Sequence, residues 1–98
     1  MIDLKALHDA VLAEVRVNWA DGALRFELRT GMIAGHERTC ITAHGLSFLD
    51  CPRRYPWGPS ESVNAVWAER VVGGALQLTV EMQSGDNIIA IVTDYVIE

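Results

Sequence analysis

Proline is nearly missing from this chain. Its 98 residues hold three, all between positions 52 and 59, in Pro52-Arg53-Arg54-Tyr55-Pro56-Trp57-Gly58-Pro59-Ser60. Proline lacks a backbone donor and interrupts β ladders, so outside this stretch no proline interrupts strand pairing. Cysteine is scarce too. Cys40 and Cys51 are the only two, and no Cys-x-x-Cys or His-x-x-x-His pair accompanies them. That excludes a disulfide-stapled scaffold and leaves a zinc site without its four clustered ligands. No metal or cofactor is expected. Glycine-rich phosphate loops, calcium-loop carboxylate spacing and a nucleophile elbow are absent as well.

Long apolar runs are lacking; the longest, Ile88–Thr93, ends in threonine and is far too short to span a membrane. Met1-Ile2-Asp3-Leu4-Lys5 has no basic start followed by an apolar core, so no secretory leader is read and the expected address is the cytoplasm. Positive charge is lacking in one region. Residues 1–60 hold seven acids and seven bases, whereas residues 61–98 hold six acids against Arg70 alone. The net charge of −5 therefore comes from the last two fifths. This argues against nucleic acid and against anionic membranes. It suits solubility, or a basic partner surface.

What the chain does hold is alternation. Its length is that of one domain, residues 1–98, and half of its residues are apolar, with mean hydropathy +0.16. The first eight residues are read as one short helix, with Asp3 as N-cap and Leu4 and Leu7 on one face. From Val11 onward period two dominates: Val11, Ala13, Val15, Val17 and Trp19 share one side. Asp21-Gly22 then signals a two-residue hairpin turn. That register sets Trp19 opposite Leu24, Val17 opposite Phe26 and Val15 opposite Leu28. On the other face it sets Arg16 opposite Glu27 and Glu14 opposite Arg29.

A second hairpin repeats the plan around Gly73-Gly74, with Val63, Ala65 and Trp67 before the turn and Leu76, Leu78 and Val80 after it, and with Glu69 inward near a strand end. At an offset of 52, Val11/Val63, Ala13/Ala65, Gly22/Gly74, Ala23/Ala75 and Leu24/Leu76 are identical. Between the hairpins lie strands at 38–43 and 46–51. Gly45 serves either a hairpin turn that sets Cys40 opposite Cys51 or a bulge in one continuous strand. Both cysteines are expected as buried thiols. After a turn at Ser84-Gly85-Asp86 comes a last strand over 87–97. It is apolar on both faces (Ile89 and Ile91; Ile88, Ala90 and Val92), so it is expected to be central or covered by the helix.

The 52–60 loop is the departure from this scaffold. Its prolines stiffen the backbone, and Arg53, Arg54, Tyr55, Trp57 and Ser60 form the candidate binding set, since Trp, Tyr and Arg dominate interface energetics. The competing reading is a crossover with Trp57 capping the core. Aromatic–proline pairs here also allow a cis peptide. An alternative pocket would join His44 and Cys51 to this loop. His8-Asp9 and His36-Glu37 are neighbours in sequence, and neighbours on a strand point to opposite faces.

Pro56-Trp57-Gly58-Pro59-Ser60, Ser62-Val63-Asn64 and Met82-Gln83-Ser84-Gly85-Asp86 together resemble a pattern of small bacterial domains, over residues 46–90. The resemblance implies a compact, mostly β domain and brings no activity or catalytic residues. Size, charge and strand content are similar to small acidic immunity-type proteins that neutralise a toxin, an analogy at fold level. The expected fold is mostly β: a small antiparallel sandwich or partly open barrel of about six strands with one short N-terminal helix. The expected function is a non-enzymatic protein-binding or assembly domain, with a protein partner or a homodimer as its target. The alternatives are a small-ligand or hydrolytic site near the loop and an immunity-type role.

Overall fold

A computed structural model describes residues 4–30, 37–54 and 61–98. Eight strands follow one 3-10 turn, Leu4–Leu7: β1 (Val11–Asn18), β2 (Ala23–Thr30), β3 (Glu37–His44), β4 (Phe48–Asp50), β5 (Val63–Arg70), β6 (Leu76–Met82), β7 (Asn87–Val92) and β8 (Asp94–Ile97). The mostly β expectation is correct; the described residues form eight strands, not about six, in two antiparallel sheets, and among them no barrel closes. The expected N-terminal helix is a single 3-10 turn. Asp9 ends it in the left-handed region (φ 68°), and the β-branched alternation from Val11 takes over. Leu7 from this turn is fully buried. Among the described residues no helix is long and apolar enough to cross a membrane.

The first hairpin forms at Asp21-Gly22, but its register differs from the expected one by two residues. Asn18 pairs with Ala23, Val17 with Leu24 and Val15 with Phe26. The turn therefore holds four residues, Trp19–Gly22. Side chains widen it: Asn18 Nδ2 donates to Asp21 Oδ2 at 2.9 Å, and the Asp21 amide donates to Asn18 Oδ1 at 3.2 Å. A bulge at Ala13 then brings Leu12, in place of Val11 and Ala13, onto the inner face opposite Leu28. The expected charge pairs are lost, because Arg16 faces Arg25 and Glu14 faces Glu27. These groups find other partners. Arg16 Nε donates to Glu14 at 2.7 Å, Glu27 pairs with Arg38, and Arg25 Nη2 lies 3.1 Å from Cys40 Sγ.

The second hairpin differs from expectation by one residue: Arg70 pairs with Leu76, so the turn holds Val71–Ala75, and Val66 and Ala68 come inward opposite Val80 and Leu78. A bulge at Asn64 then returns Val63 to the inner face opposite Met82. Ala65, Trp67 and Glu69 therefore point outward, contrary to expectation. Val15–Phe26 in the first hairpin corresponds to Val66–Val80 in the second, so the identities at offset 52 do not occupy equivalent places.

The sheets have orders β1-β2-β3-β8 and β5-β6-β7-β4. Each half of the chain builds a three-strand meander and sends its fourth strand to the other sheet. β4 pairs with β7, and β8 pairs with β3. Gly45 is thus neither a hairpin turn nor a bulge in one strand; it begins a crossover. The last expected strand likewise splits at Thr93 into β7 and β8. The crossovers touch: the Thr93 amide donates to His44 O at 2.7 Å, and the Ser47 amide to Ile91 O at 2.9 Å. The inner faces share one core that includes Leu24, Phe26, Leu28 and Ile41 from one sheet and Val66, Leu78, Val80, Ile88 and Ala90 from the other.

Candidate docking face

Alternation fixes what the second sheet shows outward. β7 sits inside this sheet and buries Ile88, Ala90 and Val92 in the core. Its other side chains, Ile89 and Ile91, must then face away from the core. The strand is thus central, one of the two expected placements; the other, cover by the N-terminal helix, is not found, and no described strand lies over Ile89 and Ile91. Across the four strands the register sets Phe48, Ile91, Gln77 and Glu69 in one row. The next row is Asp50, Ile89, Thr79 and Trp67, and beyond it lie Asn87, Glu81 and Ala65.

A diagonal of apolar groups crosses this grid. It runs from Phe48 through Ile91 and Ile89, past Thr79, to Trp67 and Ala65. Phe48 is 52% exposed and Trp67 38%, while both isoleucines are half-buried. Polar groups flank it on both sides: Asp50, Asn87 and Glu81 on one, Gln77 and Glu69 on the other. These positions include three carboxylates and no lysine or arginine. Glu81 accepts a hydrogen bond from Asn64 Nδ2 at 2.6 Å, which orients it along the flank. In the middle of the diagonal Thr79 is only 3% exposed, and its hydroxyl has no hydrogen-bond partner. A buried hydroxyl left so is costly.

The apolar surface continues around the β4 edge. Val17, Trp19, Leu46, Phe48 and Leu49 line a concavity of about 690 Å³ beside the crossovers. The wide turn that shifts the first hairpin also lifts Trp19 out of the sheet, leaving it 88% exposed.

The residues singled out from sequence are dispersed. Arg53 and Arg54 are exposed just after β4, and the Arg54 amide, not its side chain, donates to Asp86 Oδ2 at 2.9 Å. Tyr55, Trp57 and Ser60, and with them the aromatic–proline bonds and the core-capping reading of Trp57, lie outside the described residues, as does His36. His44 is exposed at the crossover end, its Nδ1 3.1 Å from Asp94 Oδ1. Cys51 lies beyond the far end of β4. With Pro52 and Arg53 it lines a groove of about 380 Å³ along β1, and His44 is not part of that groove. The two cysteines are unpaired; Cys40 is buried, but Cys51 is exposed, contrary to expectation. Although the residue is exposed, neighbouring groups partly desolvate its sulfur, and this and, secondarily, Asp50 push the Cys51 thiol above its ordinary range. Among the described residues no group of three His, Cys, Asp or Glu is placed to hold a metal ion.

Sequence reasoning missed Phe48, Ile91, Ile89 and Trp67 as one surface. The signal was there in the two apolar faces of residues 88–92, read as burial on both sides. No family model matches the chain, and neither curated proteins nor solved structures provide a match.

Proposed function

We propose that this chain is a small protein-binding domain with no catalytic role, and that it docks its partner on the outer face of the β5-β6-β7-β4 sheet. The observation that carries this reading is the apolar diagonal from Phe48 to Trp67. A sheet normally buries an apolar face against a second layer. An exposed apolar patch framed by polar groups is the usual mark of an interaction surface. Trp67 and Phe48 supply the aromatic anchors that dominate interface energies.

The reading is also supported by the chemistry that is missing. Cys51 has a raised pKa, which makes its thiol a poor nucleophile, and His44 stands at the other end of β4. Two unpaired cysteines suit a reducing compartment, and we place the domain in the cytoplasm on that basis. Neutralising a toxin by covering its surface is one form such docking takes, and the acidic flanks suit a basic target.

The test is comparative capture. Immobilised protein and its Ile91→Lys and Trp67→Ala variants are exposed to extract from the source cells. The reading predicts one protein retained by the parent and lost from both variants, whose thermal unfolding stays within a few degrees of the parent's. Equal retention by all three, or retention by none, contradicts it.

A further inference from the structure

We infer that the occupant of this face is a basic amphipathic helix presented by a partner protein; this rests on the docking reading above. Three observations narrow the occupant. The first is shape. The diagonal from Phe48 to Trp67 crosses three strand spacings of about 4.8 Å and one two-residue step of about 6.8 Å along the strands, so the apolar track is roughly 16 Å long. That length matches about ten residues of helix, whose own apolar stripe is flanked by polar residues on both sides.

The second is the edges. A partner strand would add to β4 or β5. β4 has only three residues, and β5 carries the bulge at Asn64. Short and bulged edges resist strand addition, which leaves the broad face as the surface on offer.

The third is charge. Asp50 and Glu81 lie on one side of the track and Glu69 on the other, with no base among the strand residues of this face. A helix with Lys or Arg on both flanks of its apolar stripe meets a carboxylate on each side. A second copy of this chain docking face to face would set three carboxylates against three, and like charges brought together at an interface oppose association. The same face that invites a cationic helix therefore rejects a two-fold homodimer.

The experiment uses the full, isotope-labelled chain and three synthetic peptides. One is leucine and lysine in helical spacing. The second replaces each lysine by glutamate. The third scrambles the first, keeping its composition and losing its stripe. The amphipathic cationic peptide is expected to shift backbone amide resonances of β4, β5, β6 and β7. Its affinity should fall roughly tenfold between low and about 0.5 M salt, where charges are screened beyond a few ångströms. Ile91→Lys should abolish the shifts while its own free spectrum stays dispersed. Equal binding of the glutamate or scrambled peptide overturns the proposal, as do shifts confined to the β1-β2-β3-β8 sheet. Self-association through this face, seen by light scattering, overturns it too. If no peptide binds but cellular capture still depends on Ile91, the docking reading stands and the basic-helix assignment falls. If neither occurs, both fall.

Discussion

Thr93 lies directly over Gly45. A β-carbon at Gly45 would sit 2.0 Å from the Thr93 hydroxyl oxygen and 2.7 Å from its β-carbon. Gly45 also has φ +69°, in the left-handed region. The two crossovers that exchange β4 and β8 pass each other at this point, so the contact lets two half-chains become one sandwich. Gly45→Ala should destabilise the fold by about 2–5 kcal/mol, from left-handed strain plus overlap. Gly73→Ala, where nothing lies within 4 Å, should cost only the backbone part, about 1–2 kcal/mol. Denaturant unfolding of both variants checks this. Equal costs would show that the crossing is not tight.

Thr79 gives an effect of opposite sign. Its hydroxyl is buried without a hydrogen-bond partner, so removing it loses no bond. Thr79→Val should raise stability by about 1 kcal/mol, seen as a higher denaturant midpoint with an unchanged slope.

Asp86 and Arg54 separate backbone from side chain. Asp86 is buried and accepts the Arg54 amide. Asp86→Ala should cost about 1–3 kcal/mol. Arg54→Ala keeps that amide bond and should stay within about 0.5 kcal/mol in thermal unfolding. A large loss in Arg54→Ala would mean that its side chain also anchors the segment after β4.

Cys51 should alkylate with a pH midpoint above that of an ordinary thiol. Asp50→Asn should bring the midpoint only part of the way down, because burial is the larger cause. The linked stability has a definite sign. The native thiol holds its proton to higher pH than the unfolded one, so its contribution is intact below the unfolded pKa and is lost as pH rises through the native one. Compared with Cys51→Ser, the parent should therefore lose stability above the ordinary thiol range and show no added pH dependence below it. Denaturant titrations at a series of alkaline pH values measure the difference.

Local chemistry in this chain was readable from sequence where one residue decides it. Asp21-Gly22 and Gly73-Gly74 make their turns, and period two marks most strands. The first register escaped because Asn18 and Asp21 stabilise a four-residue turn, which the glycine alone does not reveal. The inward sets escaped for different reasons: in the first hairpin the bulge at Ala13 moves Val11 to the other face, and in the second a five-residue turn, Val71–Ala75, shifts the register by one and turns Ala65 and Trp67 outward. The strand exchange escaped for a more general reason. Alternation says which face a residue takes and not which sheet its strand joins, so Gly45 announced a positive φ without saying that the chain there changes layers. The docking face was half legible. Ile89 and Ile91 stood out as a second apolar face, and only the topology shows that nothing described lies over them.

A partner seated on this open face should be caught there in the cell. The most direct measurement is photo-crosslinking in the source cells, with a photoreactive phenylalanine analogue replacing Ile91 on the open face or Thr42 on the outer face of the other sheet. Docking on the open face predicts a single discrete protein adduct from position 91 and none from position 42. An adduct from position 42 alone, or none from either, would contradict it.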